Sequence, residues 1–199
     1  MEEFSETVGQ VGRDARHDQP GLGADDLQRL WAPWRFGYVA GAEPLEGCPF
    51  CVLPQRDPGR DRESLILHRG DHCFVIFNAY PYNPGHLMVV PYEHCADLEA
   101  LPEDAAEELW SLGRRAVRVL KQQVRAQGVN LGMNLGAAGG AGIAQHLHLH
   151  AVPRWVGDTN FISVIGAARV LPRALEEMWD ELAPGFDQDP ATGPDGRTP

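Results

Sequence analysis

Apolar runs of strand length stand out in the first half of the chain. Residues 73–77 and 86–90 are largely apolar runs, and each predicts a buried strand. Residues 64–68 predict an edge strand before them. The connection over residues 78–85 is rich in proline, asparagine and glycine, which indicates an ordered link between antiparallel strands.

A long amphipathic helix is predicted next. Pro102 suits the first helical position, and Glu103 and Asp104 suit the positive end of the helix dipole. Gly128 is the predicted end of the helix. Apolar residues recur at helical spacing and form one stripe, which consists of Ala105, Leu109, Leu112, Ala116, Leu120 and Val124.

Strand patterns return after this helix. Residues 129–135 alternate as a half-buried strand does, and residues 147–152 form another strand pattern. Pro172 opens a C-terminal helix whose apolar stripe consists of Leu175, Met178 and Leu182. The order β-β-β-α-β-β-α predicts an α+β fold, in which the long helix and the C-terminal helix pack on one face of an antiparallel sheet.

Both ends of the chain lack an apolar period. Residues 1–25 are polar and acidic, and residues 185–199 are rich in proline, glycine and aspartate, so both are predicted to be mobile tails. The remaining residues 26–184 fit one domain. The first residues do not resemble a secretory signal, and no window approaches the roughly 18 apolar residues of a spanning helix. We therefore expect a cytoplasmic protein without a membrane partner.

The net charge of the chain excludes further classes of binding partner. The chain has 17 lysine and arginine residues and 28 aspartate and glutamate residues, which give a formal net charge of −11. This balance argues against a nucleic-acid polymer or an anionic lipid surface as partner. It still permits a small polyphosphate ligand, because a local nest of backbone N–H groups and a few arginine or histidine side chains can bind one.

The strongest chemical signal is a row of alternating histidines, His146, His148 and His150. On a strand, side chains two residues apart point to the same face, so the row predicts three imidazoles on one side. One interpretation is a metal site, although the ends of the row are about 13 Å apart between Cα atoms, too far for one ion to take all three easily. The other is a nucleophilic histidine with supporting histidines. Arg154 follows the row as either a contact for a distal phosphate or a surface charge.

The glycine- and alanine-rich stretch 136–142 bears on that choice. Small residues allow the backbone to approach a ligand, and successive N–H groups can bind an anion. A flexible linker is the alternative, but such a linker seldom joins two strong strands directly. Next to the histidine row, the stretch therefore favours phosphoryl chemistry.

A second candidate site is the pair Cys48 and Cys51, separated by two residues. Thiolates at this spacing bind zinc from one tight turn, or form a redox pair. The absence of a Trp-Cys-x-x-Cys pattern makes redox chemistry the weaker interpretation. A zinc site would need two further nitrogen or sulfur donors.

Together these residues resemble the histidine triad (HIT) family, whose signature alternates three histidines with apolar residues. Residues 146–152 match it completely, and the resemblance covers most of residues 30–165. Within the family the chain is most similar to a bacterial, diadenosine tetraphosphate phosphorylase-like branch, which carries Leu-Trp-Ala-Pro-Trp-Arg near the start and Tyr-Pro-Tyr-Asn-Pro-Gly-His in the middle.

The resemblance implies a role for each matching residue. His148 would attack the α-phosphorus of a nucleotide and form a nucleotidyl-histidine intermediate. His150 and His86 would orient His148 or stabilise the phosphoryl charge. The implied substrate-binding residues are Asn78 for the ribose and Asn134, Gly136, Gly140, Gly142 and Gln145 for the phosphates. Gly142 stands where many relatives carry glutamine or serine, so a backbone N–H would replace that side chain.

The resemblance also implies a structural zinc ion and a partner. The zinc ligands would be Cys48, Cys51, His94 and His146, with Cys95 as a rival ligand. No organic cofactor is expected, and the chain would form a homodimer.

Three functions remain open at this point. The first is a nucleotidyl hydrolase or transferase that acts on a nucleotide such as diadenosine tetraphosphate, with water or phosphate as acceptor. The second is a non-catalytic nucleotide-binding or adaptor protein of the HIT family. A zinc-dependent hydrolase with its metal at the triad is the weakest of the three.

Overall fold

The structure is a computed structural model that describes residues 46–158 and 173–187. Its centre is a five-stranded antiparallel sheet in the order β1-β2-β3-β5-β4. The strands are β1 (Ile66–Arg69), β2 (Cys73–Phe77), β3 (Leu87–Pro91), β4 (Gly128–Met133) and β5 (Leu149–Arg154). The predicted tail 1–25 and most of the predicted tail 185–199 lie outside the described residues.

The register of the sheet places the histidine row beside two other strands. In β5, His150 lies opposite Met88 of β3 and opposite Gly132 of β4. Further along β5, Val152 lies opposite Asn130. Because directly opposed residues share a face of the sheet, these side chains form one surface.

Four helices accompany the sheet in the described residues. They are α1 (Pro49–Val52), α2 (Glu103–Gln123), α3 (Leu175–Leu182) and α4 (Pro184–Asp187). Short 3₁₀ turns occupy Leu53–Gln55, Pro58–Arg60, Leu98–Ala100 and Ala137–Gly139. Within residues 46–158 and 173–187, none of the helices combines the length and the apolar composition needed to span a membrane.

The predicted α+β fold is confirmed, with α2 and α3 on the same face of the sheet. The stripe residues Leu109 and Leu120 of α2 and Met178 of α3 are buried in one core with Val75 and Val89 of the sheet. A smaller core on the opposite face joins Phe50 of α1 to Ile66, Phe74, Ile76, Met88 and Val90. The sheet therefore carries a packed core on each face.

Several predicted boundaries differ from the observed ones by a few residues: β4 ends at Met133, β5 begins at Leu149, and α3 begins at Leu175. Two larger differences have an identifiable cause. Helix α2 ends at Gln123, well before Gly128, because Arg125 takes a left-handed φ of 54° and Gly128 begins β4. The C-terminal tail does not begin at residue 185, since Phe186 is 2% exposed within the α2 core. Gly185 permits this close packing, because a Cβ there would lie 2.9 Å from Val119. A single aromatic anchor in an acidic, proline-rich segment escapes a prediction made from average composition.

Candidate functional site: a histidine cluster in a cleft beside a Cys2His2 cluster

The histidine row is not one regular strand segment. His146 lies in a bend, His148 lies outside regular secondary structure, and β5 begins only at Leu149. The prediction that all three histidines lie in one strand is therefore wrong, since only His150 is part of β5. Leu147 and Leu149 are nevertheless buried in the core on the helix side, and Phe50 on the opposite side contacts both His146 and His148, as one shared side for the imidazoles requires. A turn over residues 142–145 redirects the backbone before the strand and separates the first histidine from the other two.

His148 is held by the backbone of its neighbour. Its Nδ1–H donates to the carbonyl oxygen of His146 at 2.8 Å, and the ring is 6% exposed. A carbonyl accepts only, so the proton of the neutral ring is on Nδ1 and the lone pair is on Nε2. An imidazole fixed in this tautomer presents Nε2 as a nucleophile.

A chain of hydrogen bonds fixes the tautomers of His86 and His150. The backbone N–H of Tyr82 donates to Nδ1 of His86 at 3.1 Å, so the proton of His86 is on Nε2. That Nε2–H donates to Nδ1 of His150 at 2.9 Å, which places the proton of His150 on Nε2. This last N–H is buried and has no hydrogen-bond partner among the described residues. A buried donor without a partner is unfavourable, so it is available for an acceptor on a ligand.

Both supporting histidines are neutral at pH 7. Burial, with the nearby His150 and His148 adding to it, lowers the pKa of His86 to about 3. Burial and the proximity of His148 lower the pKa of His150 to about 4. The ring centroids of His148 and His150 are 4.7 Å apart at 77°. The cluster thus places a nucleophilic nitrogen beside a neutral N–H donor.

A cleft of about 640 Å³ lies beside this cluster, and His150 is the histidine of the cluster that lines it. Strand β4 and the free face of β5 form its floor, and the loop before β3 forms one wall. Its lining consists of Pro81, Tyr82, Asn130, Leu131, Gly132, Met133, Asn134, His150, Val152 and Arg154. The ring of Tyr82 is half-exposed and lies 4.6 Å from the ring of His86, between centroids.

Asn78 lies beside His86 and does not line this cleft. Its Oδ1 accepts from the backbone N–H of Tyr80 at 2.9 Å, and its Nδ2 lies 3.3 Å from Nδ1 of His86. These contacts hold the loop that positions His86. The predicted contact between Asn78 and a ribose stays a prediction.

The glycine-rich stretch is an ordered loop and not a linker. Gly136 and Gly140 have positive φ angles of 68° and 88°, which residues with a Cβ rarely adopt. Backbone N–H groups of Gly139 and Gly140 donate to loop carbonyls, and Asn134 Nδ2 donates to the Gly140 carbonyl at 3.5 Å. Because the Gly140 N–H is used inside the loop, it is not part of a ready-made anion nest. The exposed Gly142 and Gln145 remain predicted phosphate contacts.

The four predicted metal ligands come together at the other end of the row. One ligand atom from each of Cys48, Cys51, His94 and His146 lies within 4.8 Å of all the others. The Sγ atom of Cys51 is 3.2 Å from Nδ1 of His94, and the Sγ atoms of Cys48 and Cys51 are 3.4 and 3.5 Å from Nδ1 of His146. Two sulfurs and two imidazole nitrogens at these distances can surround one metal ion.

The donor set fits a metal for a second reason. Nε2–H of His146 donates to the carbonyl oxygen of Pro91 at 2.9 Å, which directs the lone pair of Nδ1 toward the two sulfurs. Burial lowers the pKa of His146 and keeps the ring neutral. Burial and the neighbouring Cys48 raise the pKa of the Cys51 thiol, and a cation between two thiolates relieves their repulsion. The rival ligand Cys95 lies outside the cluster and contacts the carbonyl of Asp97.

Some residues of the site carry no sequence signal of their own. Phe50, between the two cysteines, packs against the rings of both His146 and His148, with centroids 5.4 and 5.2 Å away. Tyr82 and Asn130 enter the cleft from different elements. Only the pairing of β4 with β5 and the path of the 78–86 loop bring them together, so no local pattern could identify them.

Comparison with known proteins agrees with this geometry. Residues 60–156 match the family model described as HIT domain. AP-4-A phosphorylase of Mycobacterium tuberculosis is 42% identical over 176 residues, which cover 83% of this chain and 88% of that protein. Bis(5′-adenosyl)-triphosphatase of Dictyostelium discoideum is 26% identical over 134 residues, which cover 64% of this chain and 89% of that protein.

A solved structure extends the likeness to the fold. The crystal structure of a zinc-bound histidine triad family protein from Mycobacterium smegmatis has a TM-score of 0.57 and 26% identity, and the match covers 71% of this chain and 94% of that chain. The relative that is 42% identical over most of both chains and the match to the HIT domain together establish the relationship. The chain belongs to the histidine triad (HIT) family.

Proposed function

We propose that the chain is a nucleotidyl hydrolase or transferase that cleaves dinucleoside polyphosphates, such as diadenosine tetraphosphate, at an α-phosphate. The prediction that it is an enzyme of the HIT family is confirmed, since relatives along most of their length are named AP-4-A phosphorylase and bis(5′-adenosyl)-triphosphatase. The substrate, the covalent intermediate and the residue roles are the proposal.

The pairing of His148 with His150 carries this proposal. Nε2 of His148 attacks the α-phosphorus, and the bond from phosphorus to the bridging oxygen of the departing nucleoside polyphosphate breaks. Nδ1–H of His148 stays on the carbonyl of His146, which stabilises the positive charge that the ring gains. The unpartnered Nε2–H of His150 donates to a phosphoryl or departing oxygen.

A second step releases the nucleotide. Water or inorganic phosphate attacks the nucleotidyl-histidine, the bond from phosphorus to Nε2 breaks, and His148 returns to its starting state. Phosphate as acceptor is favoured by the 42% identity to a protein named as a phosphorylase. Incubation with diadenosine tetraphosphate separates the acceptors: ADP with ATP as products means phosphorolysis, and AMP with ATP means hydrolysis. Two ADP molecules would mean cleavage away from the α-phosphate and would contradict the proposal.

A covalent trap tests the intermediate directly. Brief reaction with substrate labelled on the α-phosphate, followed by rapid denaturation at alkaline pH, is expected to leave an acid-labile label on His148. A non-catalytic adaptor of the HIT family would bind the nucleotide and yield neither label nor product. A zinc-dependent hydrolase would lose turnover in chelator without forming the adduct.

The metal that we propose for the cysteine cluster is one Zn²⁺ ion. Two thiolates and two imidazoles form a closed tetrahedral set that suits zinc, with bonds of about 2.0–2.3 Å and no open position for a substrate. Such an ion stabilises the fold by joining α1 to the segment that precedes β5.

We also propose a homodimer that forms at the edge of the sheet where β4 lies. Half of the residues of β4 are exposed, and Leu131 in the strand and Leu135 just after it are exposed large apolar side chains. An uncovered sheet edge with apolar neighbours is a favourable surface for a second copy. Light scattering is expected to give a dimeric mass that Leu131→Glu reduces to a monomer. Val156→Glu, at a position 92% exposed, is the matched control.

A further inference from the structure

We infer that the end of the cleft around Arg154 is the subsite for the leaving group, the nucleoside polyphosphate that departs when His148 takes the nucleotidyl group. This inference rests on the proposed function. His150, Val152 and Arg154 alternate along β5, so their side chains follow one another on the same face of the sheet. Arg154 lies about 13 Å along the strand from His150 between Cα atoms. An extended polyphosphate that follows this face of β5 from His150 would therefore reach Arg154.

Arg154 is held in one orientation. Its Nε and Nη2 donate to the two carboxylate oxygens of Asp158 at 2.6 and 2.8 Å, and its Nη1 donates to Oδ1 of Asn130 at 3.1 Å. These bonds use one N–H on each terminal nitrogen. No described residue accepts from the second N–H of either nitrogen. A planar, fixed guanidinium with two N–H groups to spare is suited to phosphate oxygens.

The carboxylate behind Arg154 is itself anchored. Asn83, which is buried, donates from Nδ2 to Asp158 at 2.8 Å and to the carbonyl of Pro153 at 2.8 Å. Asn83 belongs to the loop 78–86, which also supplies the backbone N–H that fixes His86. The loop 78–86 therefore fixes both the His86–His150 hydrogen-bond chain and the position of the Arg154 guanidinium. This arrangement would keep the reacting phosphorus and the leaving group in register.

The charge of the cleft supports the same assignment. Arg154 is the one charged side chain among the described residues that line it. Asn130 beside it, and Asn134 at the opposite end of β4, are neutral hydrogen-bonding groups. The whole chain has a formal net charge of −11. A polyanionic leaving group therefore needs local cationic donors, and the lining provides the guanidinium of Arg154 at the end away from the histidines. Asp158 balances part of its charge, so the remaining N–H groups supply most of the expected interaction.

A purely structural ion pair is the competing explanation, and the chain provides a control for it. Arg62 donates from Nε and Nη2 to both carboxylate oxygens of Asp180, each at 2.9 Å. The fork has the same geometry, but Arg62 and Asp180 are more than half exposed and neither lines the cleft.

The experiment compares two substrates that transfer the same adenylyl group. Diadenosine tetraphosphate has a nucleoside polyphosphate as leaving group, whereas adenosine 5′-phosphoramidate releases only ammonia. Arg154→Gln is expected to lower kcat/KM for the first about 10–100-fold and to leave the second within about twofold. Asn130→Ala, which removes an exposed side chain, is expected to lower kcat/KM for diadenosine tetraphosphate about threefold relative to kcat/KM for the phosphoramidate. Arg62→Gln is expected to change neither.

The ratio of the two kcat/KM values decides the outcome. A fall that is equal for both substrates, or no fall, would mean that Arg154 is structural and would overturn the inference. A rise confined to the KM for inorganic phosphate would assign Arg154 to the acceptor and would also overturn it. If Arg154→Gln fails to fold, an unchanged ratio in Asn130→Ala overturns the subsite. Wild-type protein that cleaves neither substrate contradicts the proposed function itself, before any variant is compared.

Discussion

His146 and His150 stand at the two ends of one row, are both buried, and both carry their proton on Nε2, yet they face different chemistry. Nε2–H of His146 donates a hydrogen bond to the Pro91 carbonyl, so the lone pair of Nδ1 faces two sulfurs. In His150 the lone pair of Nδ1 is occupied by His86, so the Nε2–H is left for the cleft. The group that contacts one nitrogen of the ring decides what the other nitrogen can do.

His148, between them, has the reverse tautomer. Nδ1–H of His148 donates a hydrogen bond to the His146 carbonyl, and Nε2 of His148 carries the lone pair. The proposed function assigns these three side chains different roles, a metal ligand, a nucleophile and a hydrogen-bond donor, and three different backbone or side-chain partners fix their protons accordingly. The Cys2His2 cluster and the cleft should therefore respond largely separately to substitution. Two contacts join them: the Phe50 ring, which touches both His146 and His148, and the hydrogen bond from His148 to the His146 carbonyl.

The largest effect is expected at the nucleophile. His148→Ala should lower kcat by about 10⁴-fold or more, because no neighbouring group can replace Nε2 in the covalent step. Zinc content and melting temperature should stay near those of wild type. Steady-state kinetics with metal analysis on the same preparation is the measurement. Near-normal kcat in a folded His148→Ala protein would rule out the mechanism.

A pair of crossed substitutions separates the two regions. His86→Ala should lower kcat about 10–100-fold, because it removes the hydrogen bond that fixes the proton of His150 on Nε2. It should retain the metal, because His86 contacts none of the four metal ligands. His94→Ala should do the opposite: it should lose metal and keep kcat per folded molecule within about threefold. Both quantities are measured on the same samples. If each variant lost both activity and metal, the two regions would be one functional unit.

Metal binding at the Cys2His2 cluster should raise the melting temperature of the protein. Cys48→Ser is expected to lower the melting temperature by about 5–10 °C and to remove most of the bound zinc, because three ligands hold the ion much less tightly than four. Cys95→Ser is the matched control, since Cys95 neighbours His94 but lies outside the cluster. Less than about a tenth of an equivalent of zinc in wild-type protein purified without chelator, with Cys48 and Cys51 readily alkylated, would mean that the site binds no metal.

Local apolar runs were enough to predict most of the fold. The strand over residues 73–77 has the predicted bounds, and the helix stripe at Leu109 and Leu120 is buried as expected. The errors lie where one residue overrides the average: Arg125 ends α2 in a left-handed conformation, and Phe186 extends the core. Neither effect has a local compositional signal, because each depends on what the residue packs against or on a single backbone angle.

The sequence predicts which residue types form the site, but not how the histidines are divided between the Cys2His2 cluster and the cleft. The alternating row predicts a cluster of histidines, which the contacts among His86, His148 and His150 confirm, and the CxxC pair predicts the Cys2His2 cluster, whose four side chains do lie together. The bend at His146 could not be predicted from the row, because the cysteines that it faces are 98 and 95 residues away in the sequence. Asn130 joins the cleft only through strand pairing, and the anchoring of Arg154 by Asp158 needs the loop geometry.

The smallest effect that we predict concerns stability against acid. Burial lowers the pKa of His86 to about 3 and of His150 to about 4, whereas an unfolded histidine titrates near 6.5. As pH falls below about 6.5, the unfolded chain therefore binds protons that the folded chain does not. The stability from these two residues is complete above that pH and is lost as pH falls toward their folded pKa values.

Between pH 7 and pH 5 each of the two histidines should contribute a loss of up to about 2 kcal/mol in the free energy of unfolding. Urea unfolding at both pH values, with zinc in excess, measures the total loss, to which protonation of the cysteine cluster also contributes. Since the cysteines are common to all proteins compared, His150→Asn and His86→Gln should each reduce the loss relative to wild type. An equal loss in wild type and in both variants would mean that these rings take up protons while folded. The hydrogen-bond chain from Tyr82 to His150 would then not hold them neutral, and the donor assigned to the cleft would lose its basis.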